Sequence, residues 1–152
     1  MTVHLEMPSR LESLEMAREA AGQLAELAGF DEDSRLDTQV AVHESLVNAI
    51  VHGSRCDEAR RVTLTIALGC GCLDIRVRDE GQGFDPARVL DPLAPENLCR
   101  SSGRGILLMK ALMDAVAFRR PANGGMEVTM RKRLLRRRET IPPQNAVGEL
   151  GV

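Results

Sequence analysis

The 152 residues, 43% hydrophobic and 28% charged, have the make-up of one ordinary globular domain, long enough to bury a core without staples. A net charge of −2 gives no general pull toward nucleic acid or an anionic membrane, and the absence of Trp and Tyr argues against a base-stacking surface. No apolar signal core follows the N-terminus and no run reaches membrane-spanning length. The expectation is a soluble cytoplasmic protein without a direct nucleic-acid or membrane partner. Cys56, Cys70, Cys72 and Cys99 lack paired C-x-x-C spacing and read as reduced, structural thiols.

Thr2 to Leu5 make a short first strand. Leu11, Leu14, Ala17, Ala21, Leu24 and Ala28 recur at helical spacing, and Gly29 ends that helix. Asp33 or Ser34 is the expected cap of a second helix ending near Gly53. Its periodicity places Leu36, Val40, Val47 and Val51 in one stripe, the predicted core face, with Glu44, Asn48 and His52 directly beside it. Val62, Leu64, Ile66 and Leu68 alternate with polar residues, as do Leu73, Ile75 and Val77, and Gly69-Cys70-Gly71 between them predicts an antiparallel hairpin.

From Asp79 to Gly105 the chain is rich in Gly, Pro and Ser without sustained period, the pattern of a functional loop. A helix resumes at Ile106, and Val116–Phe118 with Glu127–Met130 form a closing hairpin around Asn123-Gly124-Gly125. The sum is an α+β fold: a two-layer α/β sandwich, with a mixed, mostly antiparallel sheet packed on about three helices. Residues 1–133 form the domain, and 134–152 a basic tail carrying Arg136-Arg137-Arg138. That tail is either a solvated, frayed terminus or a docking strip for an acidic partner.

Three clusters carry chemistry. A carboxylate, an amide and an imidazole at the edge of a buried helix face call for a polar partner such as a metal, a phosphate or an activated water. In Asp79-Glu80-Gly81-Gln82-Gly83 the strand alternation turns Asp79 inward, where it needs a donor; an adenine amine suits it, and the glycines let backbone approach a ligand. Ser101-Ser102-Gly103-Arg104-Gly105 opens a helix, where free N–H groups and the dipole favour phosphate. Each has a plain structural reading, a cap network, an Asp-Gly turn or a linker. Nucleotide binding accounts for them together.

In this order the motifs resemble the GHKL ATPase/kinase superfamily, whose members share the Bergerat ATP-binding fold. Glu44-x-x-x-Asn48 is similar to its N box, Asp79-x-Gly81-x-Gly83 to its first glycine box and Gly103-x-Gly105 to its second. Asn48-Ala49-Ile50-Val51-His52-Gly53 and Ser102-Gly103-Arg104-Gly105-Ile106 most resemble the bacterial anti-sigma-factor serine kinases. The resemblance implies ATP and Mg²⁺ as cofactors, Asn48 as Mg²⁺ ligand and Glu44 as the base that takes the proton of the attacking serine. It implies Asp79 for the adenine amine, Gly81 and Gly83 for the adenine side, and Gly103, Arg104 and Gly105 for the phosphates. Either Arg100 or Arg104 adds charge near the γ-phosphate, and His52 lines the site or packs.

The implied partners are a STAS-type antagonist as phosphorylation substrate, a sigma factor, and a second copy in a homodimer. From the length of the chain, the expectation is a protein without the phospho-acceptor domain of a sensor kinase or a long transducer domain. The competing function is an ATP-responsive protein-binding module with little or no kinase activity. Nucleic-acid binding through the arginine tail is a third.

Overall fold

Alternation of buried and open positions organises the sheet, and two runs of it set the centre of the fold. The computed structural model describes residues 1–87 and 103–135. Its strands are β1 (Thr2–Pro8), β2 (Arg61–Gly69), β3 (Cys72–Asp79), β4 (Ala115–Arg119) and β5 (Glu127–Arg133). They form one sheet in the order β1-β2-β3-β5-β4. All four pairings are antiparallel, so the sheet is antiparallel throughout the described residues rather than mixed. The β2–β3 register pairs Gly69 with Cys72, leaving Cys70 and Gly71 as a two-residue turn, both at positive φ.

The inward face carries Val62, Leu64, Ile66, Leu73, Ile75, Val77, Val128 and Met130, all buried. Against it lie α1 (Ser13–Leu27), α2 (Glu32–Val47) and α3 (Gly103–Leu112). Two layers around one core follow from this, because the opposite sheet face is polar. There Arg131 donates from two nitrogens to Asp74, at 2.6 and 3.0 Å, and Arg119 donates twice to the buried Glu127.

α1 stops where expected: Gly29 takes φ +84°, and the Phe30 N–H reaches back to the Ala25 carbonyl. Leu11 falls before the helix and is exposed. The cap of α2 is Asp31, not Asp33 or Ser34: its carboxylate accepts the Ser34 N–H at 2.9 Å, and Glu32 and Asp33 occupy the first turn, where the dipole favours negative charge. α3 begins at Gly103, three residues before Ile106.

The core face of α2 is the opposite of the one its apolar spacing predicts. Ala41, Val42 and Leu46 are fully buried with Thr38 and Ser45, whereas Leu36 is 49% exposed and Val40, Val47 and Val51 are only half-buried. At about 100° per residue the two stripes lie roughly half a turn apart. Hydroxyls inside the core are the reason: Thr38 donates to the Ser34 carbonyl at 2.8 Å and Ser45 to that of Val42 at 2.9 Å. Bonded to the helix's own backbone, they can be buried at little cost.

Lys132 ties the helices to the sheet, donating to Asp37 at 2.8 Å and to the Leu112 carbonyl at 2.6 Å. No helix among the described residues is long and apolar enough to cross a membrane. The 134–152 tail lies outside the described residues from 136 onward; Leu134 still donates its N–H to the Gly71 carbonyl.

Candidate active site

At Asn48 the second helix widens. Asn48–Gly53 forms a π-helical turn in which the Ser54 N–H reaches the Ala49 carbonyl at 2.8 Å, five residues back. Single π turns inside helices recur at functional sites. Here the turn carries Asn48 at its start, the half-buried His52 and, at its end, Gly53. Arg55 and Cys56 follow at φ +54° and +56°, a conformation that costs an ordinary residue about 1–2 kcal/mol each.

Glu44, half-buried, lies one turn before Asn48. It faces Gly105 of α3: a Cβ at that glycine would stand 2.5 Å from Glu44 Oε2. Asn48 is 1% exposed, and its side-chain nitrogen has no hydrogen-bond partner among the described residues. Such an orphan costs about 1–3 kcal/mol unless something meets it. A half-turn of the amide exchanges nitrogen and oxygen, so the position can offer an N–H to a phosphate or an oxygen to a cation. Among the described residues no group of three His, Cys, Asp or Glu side chains gathers to hold a metal.

Asp79 ends β3 on the inward face, as the alternation of Leu73, Ile75 and Val77 predicts, and is fully buried. Oδ1 accepts the Gly81 N–H at 2.9 Å and Oδ2 the Met126 N–H at 3.2 Å. Each oxygen keeps a further lone pair. Burial pushes the carboxyl above its ordinary value; the backbone N–H groups of Gly81, Met126 and Gly83, and the nearby Arg60, pull the other way. The Asp79 N–H donates to the Met126 carbonyl at 3.1 Å, so strand and following loop are locked to the β4–β5 connection.

Four glycines enclose this carboxylate. A Cβ at Gly53 would lie 2.5 Å from Asp79 Cγ and Oδ2. One at Gly81 would run into the Gly53 carbonyl and lie 2.8 Å from Ser54 Cα, and one at Gly125 would run into the Asp79 carbonyl. Gly83 turns at φ +72°, and the buried Phe84 beyond it meets Phe118 edge-on at 6.1 Å. Gly53 and Gly125 read locally as a helix end and a hairpin turn; only packing against Asp79 reveals their place at the site.

The structure therefore joins two pairs of motifs. The π turn links Glu44 and Asn48 to the Gly53–Asp79–Gly81 cluster, and the α2–α3 contact links Glu44 to Gly105. Gly103 is the first residue of α3, and Arg104 is exposed on its first turn. First-turn N–H groups have no acceptor within their helix, which leaves them for an anion. Arg100, Ser101, Ser102 and Cys99 lie outside the described residues.

The orphaned Asn48 amide, the buried acceptor at Asp79 and the Cβ-free surfaces at Gly81 and Gly105 suit an adenine nucleotide with its cation. Comparison with known proteins points the same way. The family model described as histidine kinase-like ATPase domain matches residues 7–132. The serine-protein kinase RsbW of Bacillus licheniformis is 30% identical over 142 residues, which span 90% of this chain and 88% of that protein. The anti-sigma F factor of Geobacillus stearothermophilus is 29% identical over 134 residues, 86% and 90% of the two chains.

Among solved structures, the RsbU and RsbW domains of Rv1364c from Mycobacterium tuberculosis superpose with a TM-score of 0.65 at 19% identity, over 88% of this chain and 32% of that one. At that identity the likeness concerns the fold. The family model spans most of the chain, and the chain belongs to the histidine kinase-like ATPase domain family.

Proposed function

We propose that this chain is an ATP- and Mg²⁺-dependent protein serine kinase that also acts as an anti-sigma factor, phosphorylating a STAS-type antagonist in a partner-switching system. The observation that carries the reading is the approach of Glu44 to Gly105, with the unpartnered Asn48 amide one turn away. A nucleotide-binding module has no need of a carboxylate at that position. A kinase needs one, to take a proton from a hydroxyl that must be brought within hydrogen-bond reach. The names of the relatives, a serine-protein kinase and an anti-sigma F factor, support the same reading.

Each side chain then has a distinct task. Asp79 accepts a hydrogen bond from the adenine amine through a lone pair its backbone donors leave open. Gly81 and Gly83 keep the adenine side free of Cβ atoms. The first-turn amides of α3, at Gly103, Arg104 and Gly105, face the phosphates, with the Arg104 guanidinium as an additional positive charge. Asn48 holds Mg²⁺ through its amide oxygen, an ion that retains several waters and needs few protein ligands. When bound, Mg²⁺ and ATP supply the transferable phosphoryl group and the neutralisation of its charge. Glu44 receives the serine proton; it lies against Gly105 and one helical turn from Asn48.

The proposed partners are a STAS-type antagonist, a sigma factor and a second copy of the chain. Incubation of the protein with labelled ATP, Mg²⁺ and a candidate STAS-type protein tests the reading: label on a serine of the antagonist is expected. ATP binding without label on any antagonist, across the candidates, would leave a binding module and sink the kinase assignment.

A further inference from the structure

Ser54 stands immediately beyond the π turn, is 2% exposed, and its hydroxyl has no hydrogen-bond partner among the described residues. A buried hydroxyl left unmade is destabilising, and serine could be exchanged for alanine here without loss of packing. Its backbone is held firmly: the N–H bonds to Ala49 and the carbonyl accepts the Asp57 N–H at 3.1 Å. The place it occupies is the floor of the cluster around Asp79. It follows Gly53, whose absent side chain makes room for the Asp79 carboxylate, and its Cα is 2.8 Å from where a Gly81 Cβ would be. The two left-handed residues after it, Arg55 and Cys56, add a conformational cost to delivering the chain there.

We infer that the Ser54 hydroxyl is a second protein hydrogen-bonding group of the purine pocket, acting beside Asp79 and fixing the orientation of the base, by direct contact or through a bound water. The inference rests on the nucleotide reading above. Asp79 is an acceptor: its two oxygens already take the Gly81 and Met126 N–H groups, and the role proposed for it toward an amine uses a further lone pair. A hydroxyl can donate as well as accept, so Ser54 supplies the complementary group that a purine edge, with its alternating donors and acceptors, requires. An orphaned hydroxyl in the free protein is then a feature of the binding state: the missing partner arrives with the ligand.

The test uses the full chain and ADP with Mg²⁺, followed by calorimetry, alongside thermal unfolding of the nucleotide-free protein. Ser54→Ala should weaken ADP binding by roughly threefold to tenfold. It should leave the nucleotide-free Tm unchanged or higher, since an unpaired polar group is removed. Ser54→Cys fills the same space with a poor hydrogen-bonding group and should weaken ADP binding likewise. Wild-type affinity in both variants overturns the inference, as does a fall in the nucleotide-free Tm of Ser54→Ala, which would give the hydroxyl a structural partner. Loss with alanine but retention with cysteine assigns the effect to packing and also overturns it. Wild-type protein that binds no ADP would instead remove the nucleotide reading and this inference together.

Discussion

Glu44 and Gly105 meet where α2 and α3 cross, so close that a single methyl group at position 105 would stand 2.5 Å from Glu44 Oε2. The second glycine box therefore has a second part beside the phosphate contact proposed for it. It is also the surface against which the proposed base is held. Gly105→Ala must push the carboxylate oxygen aside, while the other Glu44 atoms, at 3.5 and 3.6 Å, stay in ordinary contact. The expected result is loss of phosphoryl transfer with a urea midpoint near that of the wild type, and wild-type transfer would show that the carboxylate need not lie against Gly105.

Asp79→Asn keeps the shape but not the acceptor set. Both carboxylate oxygens accept backbone N–H groups, from Gly81 and Met126, and an amide can satisfy only one of them. Its NH₂ would also confront the adenine amine. A hydrogen bond to a charged group is worth about 1.5–3 kcal/mol, so nucleotide affinity should fall by roughly tenfold to a hundredfold. Equilibrium dialysis or calorimetry with ADP gives the answer.

The same carboxylate sets a pH dependence. Its pKa in the folded protein is raised above the ordinary 3.8, chiefly by burial. Between those two values the folded chain holds a proton that the unfolded chain has released, so the contribution of Asp79 to stability is greatest below the ordinary value and falls as pH rises through the folded one. Nucleotide affinity runs the opposite way, because the ionised form accepts the amine. Acidification into this window should weaken ADP binding in the wild type, and Asp79→Asn should flatten that dependence.

Lys132 bridges α2, α3 and β5 from a half-buried position through Asp37 and the Leu112 carbonyl. Lys132→Met keeps the aliphatic stem and removes both bonds. A loss of about 1–3 kcal/mol in unfolding free energy is expected, from two charge-assisted bonds and a half-buried carboxylate left without its cation. Nucleotide affinity should change little, since among the described residues the bonds of Lys132 go to Asp37 and the Leu112 carbonyl, outside the proposed site. Chemical denaturation and ADP titration on one preparation check both halves.

Much of this was legible in the chain itself. The β2–β3 hairpin, the inward Asp79 and the closing β4–β5 hairpin follow from period-two alternation and from glycine turns, signals that are local. The face of α2 was misread because Thr38 and Ser45 look polar in sequence, while their hydroxyls are spent on the helix backbone. Leu36 looks like core and is exposed, and Val40 and Val47 look like core and are only half-buried. Gly53 and Gly125 read in sequence only as a helix end and a hairpin turn, for another reason. Their role is set by the approach of Asp79, from a strand far away in sequence, and no neighbouring residue announces it. Ser54 belongs with them, since only burial shows that its hydroxyl lacks a partner.

Glu44→Ala tests the central claim most directly, with ADP affinity and single-turnover transfer from labelled ATP to a STAS-type antagonist measured on the same protein. A base contributes typically about 10²–10⁴-fold to such a step. The account predicts nucleotide affinity near that of the wild type and transfer reduced by at least about a hundredfold. Transfer at the wild-type rate would contradict it, and would leave the carboxylate beside Gly105 without the role proposed here.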